Sequence, residues 1–212
     1  VARSWPTMCR GIVYLAQSPS WRSFPDGAAD LFDVNISAAF RALEYTRRSG
    51  ARHFIFASTG SVYGHRYDVS RETDKIDLLE KRRLYDAGKI AVEALSLTYE
   101  SLLTIVILRL FMPYGEGQSP QMLIPQIVQR VREGRPIMLH GQNGLEANPV
   151  VVQDVAETFQ RCLMLDQSAT LNLAGPDVVT LRGIGVQIGE ILGKNPIFEN
   201  QPEERSPCIV GD

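Results

Sequence analysis

The sequence predicts an α/β fold: a parallel sheet flanked by helices, with a smaller C-terminal lobe. Three observations carry that reading. His53–Ala57 and Thr104–Leu110 are apolar runs without alternation, the pattern of parallel strands buried on both faces. Helical stretches with a 3.6-residue apolar period lie between the strands, so strand and helix alternate along the chain. From Phe111 the texture changes, because Pro113, Gly115, Gly117 and Pro120 interrupt regular structure.

Taken in order, Gly11–Ala16 is a short β-prone run and Asp33–Arg48 a helix, with Phe32, Ile36, Ala39, Phe40 and Leu43 as its apolar stripe. Gly50 stops that helix after Arg47 and Arg48, as cap and dipole chemistry favour. His53–Ala57 is the second strand, Tyr85–Leu103 a helix and Thr104–Leu110 the third strand. Beyond the change in texture, Leu123–Glu133 is an amphipathic helix closed by Gly134. Asn148–Val152 reads as a strand, Asp154–Leu165 as a helix, Leu171–Ala174 as a strand and Thr180–Leu192 as the last helix. In that last helix Thr180 is an N-cap and Ile184, Ile188, Ile191 and Leu192 form the core stripe. Residues 1–110, rejoined by about 148–166, form the first domain, and 111–147 with 167–212 form the lobe.

The chain has 212 residues, 44% of them apolar, and a net charge of −2. That suits one sizeable core, and without basic runs it points away from nucleic acid or a polybasic membrane partner. No apolar run approaches transmembrane length, and the start Val1–Pro6 lacks a signal-peptide core, so a cytoplasmic protein is expected. Cys9, Cys162 and Cys208 are scattered and odd in number, as free thiols are in a reducing compartment. His53, His65 and His140 stand alone, and no metal site is expected.

Two segments carry the chemistry. Phe54-Ile55-Phe56-Ala57-Ser58-Thr59-Gly60-Ser61-Val62-Tyr63-Gly64 ends a strand in hydroxyl groups, and Tyr85-Asp86-Ala87-Gly88-Lys89 follows. Tyr85 and Lys89, at i and i+4, share a helix face. An ammonium beside a phenol favours the phenolate and is expected to pull the Tyr pKa from about 10 toward neutrality. A hydroxyl that orients a substrate oxygen and a Tyr that moves its proton suit redox chemistry between alcohol and ketone. Taken alone, the Y-x-x-x-K spacing fits equally an ordinary helix with a half-buried Tyr and a solvated Lys.

In this order, with Glu93 following on the same helix, the segments resemble the extended short-chain dehydrogenase/reductase family, the NAD-dependent epimerase/dehydratases. The resemblance runs from Gly11-Ile12-Val13-Tyr14-Leu15-Ala16 to Gly211-Asp212. It implies a Rossmann-like dinucleotide-binding domain, a substrate-binding lobe, and NAD or NADP as cofactor. It implies Thr59, Tyr85 and Lys89 as catalytic residues, with Lys89 also gripping the nicotinamide ribose. Ala16, Gln17, Asn35, Ala57, Ser58, Tyr85, Lys89, Leu110 and Phe111 would line the cofactor. For Asn35 a helix-start hydrogen bond is the other role open, and for Leu110 and Phe111 a place in the core. Thr59, Gly60, Ser61, Met112, Met122 and Leu123 would face the substrate, a small molecule of the sugar or nucleotide-sugar class. A homodimer through Leu31–Arg48 and Asp86–Tyr99 is also implied.

Departures from the family pattern narrow the expectation. Gly60 and Ser61 stand where dehydratases and decarboxylases carry acids, so simple redox or epimerisation is expected. Met112, Met122 and Ala147 stand where sugar-nucleotide epimerases carry Asn, Asn and Arg, which leaves a diphosphate less well met and a small non-sugar ketone open as substrate. The family's Gly-rich opening, about sixty residues, is not in the sequence, nor is the family's extreme C-terminus; Gly183–Gly189 reads as a packing helix and not as its substitute. Either the molecule holds more residues than these, or it is a fragment and a non-catalytic nucleotide-binding relative. The first is expected, because a fragment would leave an apolar parallel edge exposed.

Overall fold

The computed structural model describes residues 9–80, 82–202 and 208–212; Val1–Pro6, read above for a signal core, lie outside the described residues. In chain order come β1 (Gly11–Tyr14), α1 (Ala28–Phe32), a wide π-helical turn (Asp33–Ser37), α2 (Ala38–Arg48), β2 (His53–Thr59), a 3-10 turn (Gly60–Tyr63), α3 (Leu84–Leu97) and β3 (Thr104–Leu110). Then follow β4 (Pro113–Tyr114), α4 (Leu123–Glu133), β5 (Ile137–His140), β6 (Glu146–Ala147), β7 (Val150–Val151), α5 (Val152–Cys162), β8 (Ala169–Leu173), β9 (Val179–Thr180), α6 (Leu181–Leu192), β10 (Phe198–Gln201) and β11 (Cys208–Ile209). Among the described residues no helix is long and apolar enough to cross a membrane.

The chain forms two compact units. The first takes in the described residues up to Gly64, Lys75–Leu110 (Lys81 excepted) and Ala156–Asn172; the second takes in His65–Asp74, Phe111–Val155 and the described residues from Leu173 onward. The segment that returns to the first unit is thus 156–172, where the sequence reading had about 148–166, because β8 joins the first unit's sheet.

In the first unit the sheet order is β1-β2-β3-β8, with β1, β2 and β3 parallel and Gly11 opposite His53 opposite Thr104. β1, β2 and β3 are neighbours in space and in sequence because helical crossovers join them, and two crossovers of the same hand put α2 and α3 on one face. That face buries Tyr14, Phe54, Phe56, Ile105 and Ile107 against Ala39, Ala42 and Leu43 of α2 and Val92 of α3. Ile55, Val106 and Leu108 point to the other face and are buried too, which explains why these strands show no alternation. Fully burying each of these large side chains stabilises the unit by about 1.5–3 kcal/mol. The helix stripe is narrower than its composition suggested: Phe32 and Phe40 are 52% and 39% exposed, outside the core. The helix after Tyr85 stops at Leu97, not at Leu103, because Thr98 caps it and the backbone tightens into turns, with the Tyr99 N–H donating to the Ser96 carbonyl.

In the second unit, Ile127 and Val131 of α4, Ile137 and Leu139 of β5, and Leu181 and Ile184 of α6 make the core, with Phe198 of β10 against it. Short pairings frame it: β5 with β10, β6 between β11 and β9, and β4 with β7. The strand expected over 148–152 shrinks to β7, and α5 begins at Val152. Thr180 caps α6 by accepting from the Gly183 N–H at 3.0 Å, as expected, but Ile191 is 83% exposed and outside the stripe.

The glycines of α6 are packing residues. A Cβ at Gly185 would sit 2.9 Å from Ile137 and Phe198, and one at Gly189 would lie 2.6 Å from the Lys194 carbonyl oxygen. In an exposed helix Gly→Ala stabilises by about 1 kcal/mol. At Gly189 the collision is with backbone, so Gly189→Ala is expected to destabilise by about 1–3 kcal/mol in a urea melt. A stabilised variant would contradict this packing.

Candidate active site

In an open parallel sheet, ligands bind in the crevice beyond the carboxyl ends of the strands. At that edge of the first unit the chain delivers residues 15–18 after β1, Ala57–Thr59 at the end of β2 and Leu110 at the end of β3. A buried polar scaffold holds β2, α3 and β3 together there. Arg109 donates from Nη2 to Glu93 Oε2 at 2.7 Å and from Nε to Oε1 at 3.2 Å, and its Nη1 donates to the Tyr63 hydroxyl at 2.8 Å. Tyr63 passes its own proton to Asn172 Oδ1 at 2.8 Å, and the Ser58 hydroxyl donates to Glu93. Gly64, at φ 79, turns the chain away after Tyr63, where a side chain would also strike Glu80.

Thr59 closes β2 in extended conformation, and its Oγ1 accepts from the Ser61 N–H at 3.2 Å, which starts the 3-10 turn. Ser61 Oγ lies 2.9 Å from Thr59 Oγ1 and donates to Asp86 Oδ1 at 2.6 Å. Because α3 begins at Leu84, Tyr85 and Asp86 fall in its first turn, with Arg83 ion-paired to Asp86 at 2.8 Å. Lys89, one turn on, is buried, donates to the Ala57 carbonyl at 2.8 Å, and stands 5.7 Å from the centre of the Tyr85 ring. Trp21 packs on Tyr85 with ring centres 5.6 Å apart.

The structure thus brings Thr59, Ser61, Tyr85 and Lys89 together, with Ala57, Ser58 and Gly60 beneath them. Asn35 lies in the π turn, not at a helix start; buried, it accepts from the Ser18 N–H at 2.9 Å and donates to Gln17 Oε1 at 3.1 Å, fixing the segment that carries Ala16 and Gln17. Leu110 pairs with Thr59 across the strands. Phe111, Met112, Met122 and Leu123 belong to the second unit. There Phe111 is fully buried with its ring facing Gly211, and Leu123 packs on that unit's core. Met112 sits at φ 44, in the left-handed region where Asn is at ease and Met is strained.

The electrostatics correct one expectation. The Tyr85 phenol is pushed above its ordinary value: burial dominates and the Asp86 charge adds, against a hydrogen bond with Thr59 and the Arg83 charge. The Lys89 ammonium points at the Ala57 carbonyl and does not override them. Sequence reasoning also missed Trp21, Arg83 and Asp86. The only trace of the last two is an Arg and an Asp three apart across a helix start. Among the described residues no group of three or more His, Cys, Asp or Glu is placed to hold a metal.

Residues 6–174 match the NAD dependent epimerase/dehydratase family. The chain belongs to that family. It is 27% identical over 202 residues to a UDP-glucuronate 4-epimerase of Thermodesulfobacterium geofontis, a match covering 94% of this chain and 57% of that protein. Among solved structures it resembles MoeE5 in complex with UDP-glucuronic acid and NAD, with 25% identity, TM-score 0.79 and coverage of 96% of this chain and 70% of that one. It also resembles the UDP-glucose 4-epimerase of Thermus thermophilus in complex with NAD, with 26% identity, TM-score 0.73 and coverage of 96% and 69%. The chain therefore spans little more than half the length of the curated relative.

Burial lowers the Lys89 pKa to about 8 from 10.5, with the Glu93 charge opposing. The unfolded chain then holds more protons than the folded one between those values, so this group's penalty on folding is full below pH 8 and fades as pH approaches 10.5. Relative to Lys89→Met, the parent is expected to gain stability across that window in urea unfolding; a pH-independent difference would refute it.

Proposed function

We propose that the protein is an NAD-dependent epimerase or oxidoreductase acting at a secondary alcohol of a nucleotide sugar, with Tyr85 as the acid/base. The observation that carries this reading is the convergence of Thr59, Tyr85 and Lys89 at the carboxyl edge of a parallel sheet, supported by the family and by relatives named as UDP-sugar 4-epimerases. Among the described residues the buried Lys89 ammonium has a single hydrogen bond, to the Ala57 carbonyl. Its remaining N–H donors suit ribose hydroxyls, so the residues fit a dinucleotide. Ala16, Gln17, Asn35, Ala57, Ser58, Lys89 and Leu110 would hold it. When bound, NAD supplies the hydride acceptor and donor.

Thr59 holds the substrate oxygen by hydrogen bond, and Tyr85 takes the hydroxyl proton on oxidation and returns it on reduction. Trp21 shields one side of the Tyr85 ring from water. Gly60 and Ser61 supply no acid for elimination, which favours epimerisation through a ketone over dehydration. Met112, Met122 and Ala147 favour a second reading, a reductase of a less charged ketone. Net consumption of reduced cofactor without an epimerised product would select it.

Tyr85→Phe is expected to lower turnover of UDP-glucuronic acid or UDP-glucose about 10²- to 10⁴-fold while cofactor binding persists. The sugar anomeric signals in a proton NMR assay read the product, and undiminished turnover would sink the assignment. A homodimer is part of the reading. Phe32 and Phe40 on one helical segment and Leu95 and Leu97 on α3 leave apolar surface uncovered. Light scattering is expected to give twice the chain mass, and a monomer at micromolar concentration would reject it.

A further inference from the structure

Asp86 lies in the first turn of α3 and is 5% exposed. The helix dipole accounts for an acid at that point. It does not account for the bond that Asp86 Oδ1 receives from Ser61 Oγ at 2.6 Å, across 25 residues of chain. Arg83 donates from Nε to Oδ2 at 2.8 Å and from Nη2 to Oδ1 at 3.0 Å, so the carboxylate is held from two sides. A carboxylate only accepts, and a hydroxyl has one proton to give. Because Ser61 spends its proton on Asp86, it is the acceptor toward Thr59 Oγ1, 2.9 Å away. Thr59 Oγ1 in turn accepts from the Ser61 N–H at 3.2 Å. The Thr59 hydroxyl is thus fixed in place and in direction, with a lone pair left to receive a substrate hydroxyl.

We propose that Asp86, acting through Ser61, is a positioning residue that fixes the Thr59 hydroxyl at the carboxyl end of β2. The inference rests on the reading of Thr59 as the group that holds the substrate oxygen, and extends it. Thr59 is the last residue of β2 and only half-buried, and in a strand two side-chain rotamers are commonly open to it. Packing alone does not choose between them. A hydroxyl already held in one orientation meets the substrate without the ordering cost that a free rotor carries. On this account Ser61 is the link between Thr59 and Asp86, in place of the substrate contact that the family resemblance implied.

Ser61→Ala isolates the link, because it keeps the Asp86 charge, the Arg83 pair and the N–H of residue 61. The experiment is NMR of the purified protein labelled with carbon-13 and nitrogen-15. Three-bond couplings from the Thr59 methyl carbon to its own backbone nitrogen and carbonyl carbon read the rotamer, and Thr59→Ser identifies the signal. The parent is expected to show one dominant rotamer. In Ser61→Ala and Asp86→Ala the share of the minor rotamer is expected to rise about 2- to 10-fold. The double variant is expected to go no further than either single one, since residues on one path are not additive, and Ser61→Thr to restore the parent couplings. Parent couplings in Ser61→Ala overturn the proposal, as do effects of Asp86→Ala and Ser61→Ala that add. Should Asp86→Ala not fold, the two Ser61 variants decide. Turnover of UDP-glucuronic acid or UDP-glucose is expected to fall about 2- to 10-fold in Ser61→Ala, in kcat and not in KM, and to recover in Ser61→Thr; an undiminished kcat also overturns the proposal. The couplings need no turnover, so a parent inactive on both sugars refutes the proposed function while the couplings still decide the role of Asp86.

Discussion

The pairing of Arg109 with Glu93 is the constraint on which the site depends. Arg109 sits one residue before the end of β3 and Glu93 in the middle of α3; both are buried, and their two hydrogen bonds fix a strand end against a helix. Glu93 also receives Ser58 from β2, and Arg109 reaches Tyr63 at the end of the 3-10 turn. Three segments that carry Thr59, Ser61, Tyr85 and Lys89 are thereby tied to one ion pair. The face of α3 that presents Glu93 also carries Lys89 and Tyr85 toward the ends of β2 and β3, since residues four apart stack on a helix.

Such a pair specifies more than it stabilises. Desolvating both charges consumes most of their attraction, while removing one partner strands the other at a cost of about 3–5 kcal/mol. The Arg47–Glu44 and Arg161–Glu157 pairs lie on exposed helix surface, where solvent screens them and an ion pair contributes little. The first unit's stability comes from Phe54, Phe56, Ile105, Ile107 and the small residues of α2 above them, which close-pack without regard to register at the strand ends. Register there needs directional bonds, and the polar scaffold supplies them where the apolar core stops.

This division explains what was legible in the sequence. β2 and β3 were readable because strands buried on both faces are apolar throughout, and α4 and the Thr180 cap because period and cap residues are local signals. The strands β4, β5, β6, β9, β10 and β11 were not, because each is short and is made by a distant partner rather than by its own pattern. Phe32, Phe40 and Ile191 were assigned to the core because spacing gives a helix face but not the width of what covers it. Thr59, Tyr85 and Lys89 could be singled out by spacing. The sign of the Tyr85 shift could not, since it turns on burial and on Asp86, and neither is visible from a five-residue motif.

Burial acts on Tyr85 and Lys89 in opposite directions and to one end. It raises the phenol and lowers the ammonium, so each is biased toward its neutral form. At neutral pH the outcome is asymmetric: the phenol is protonated, and an ammonium with a pKa of about 8 still carries its charge. On the proposed reading of Tyr85 as the acid/base, that favours giving a proton to a ketone oxygen over taking one from an alcohol. Of the neighbouring charges, Asp86 raises the phenol and Arg83 lowers it, and both act more strongly where water is excluded and the local dielectric falls.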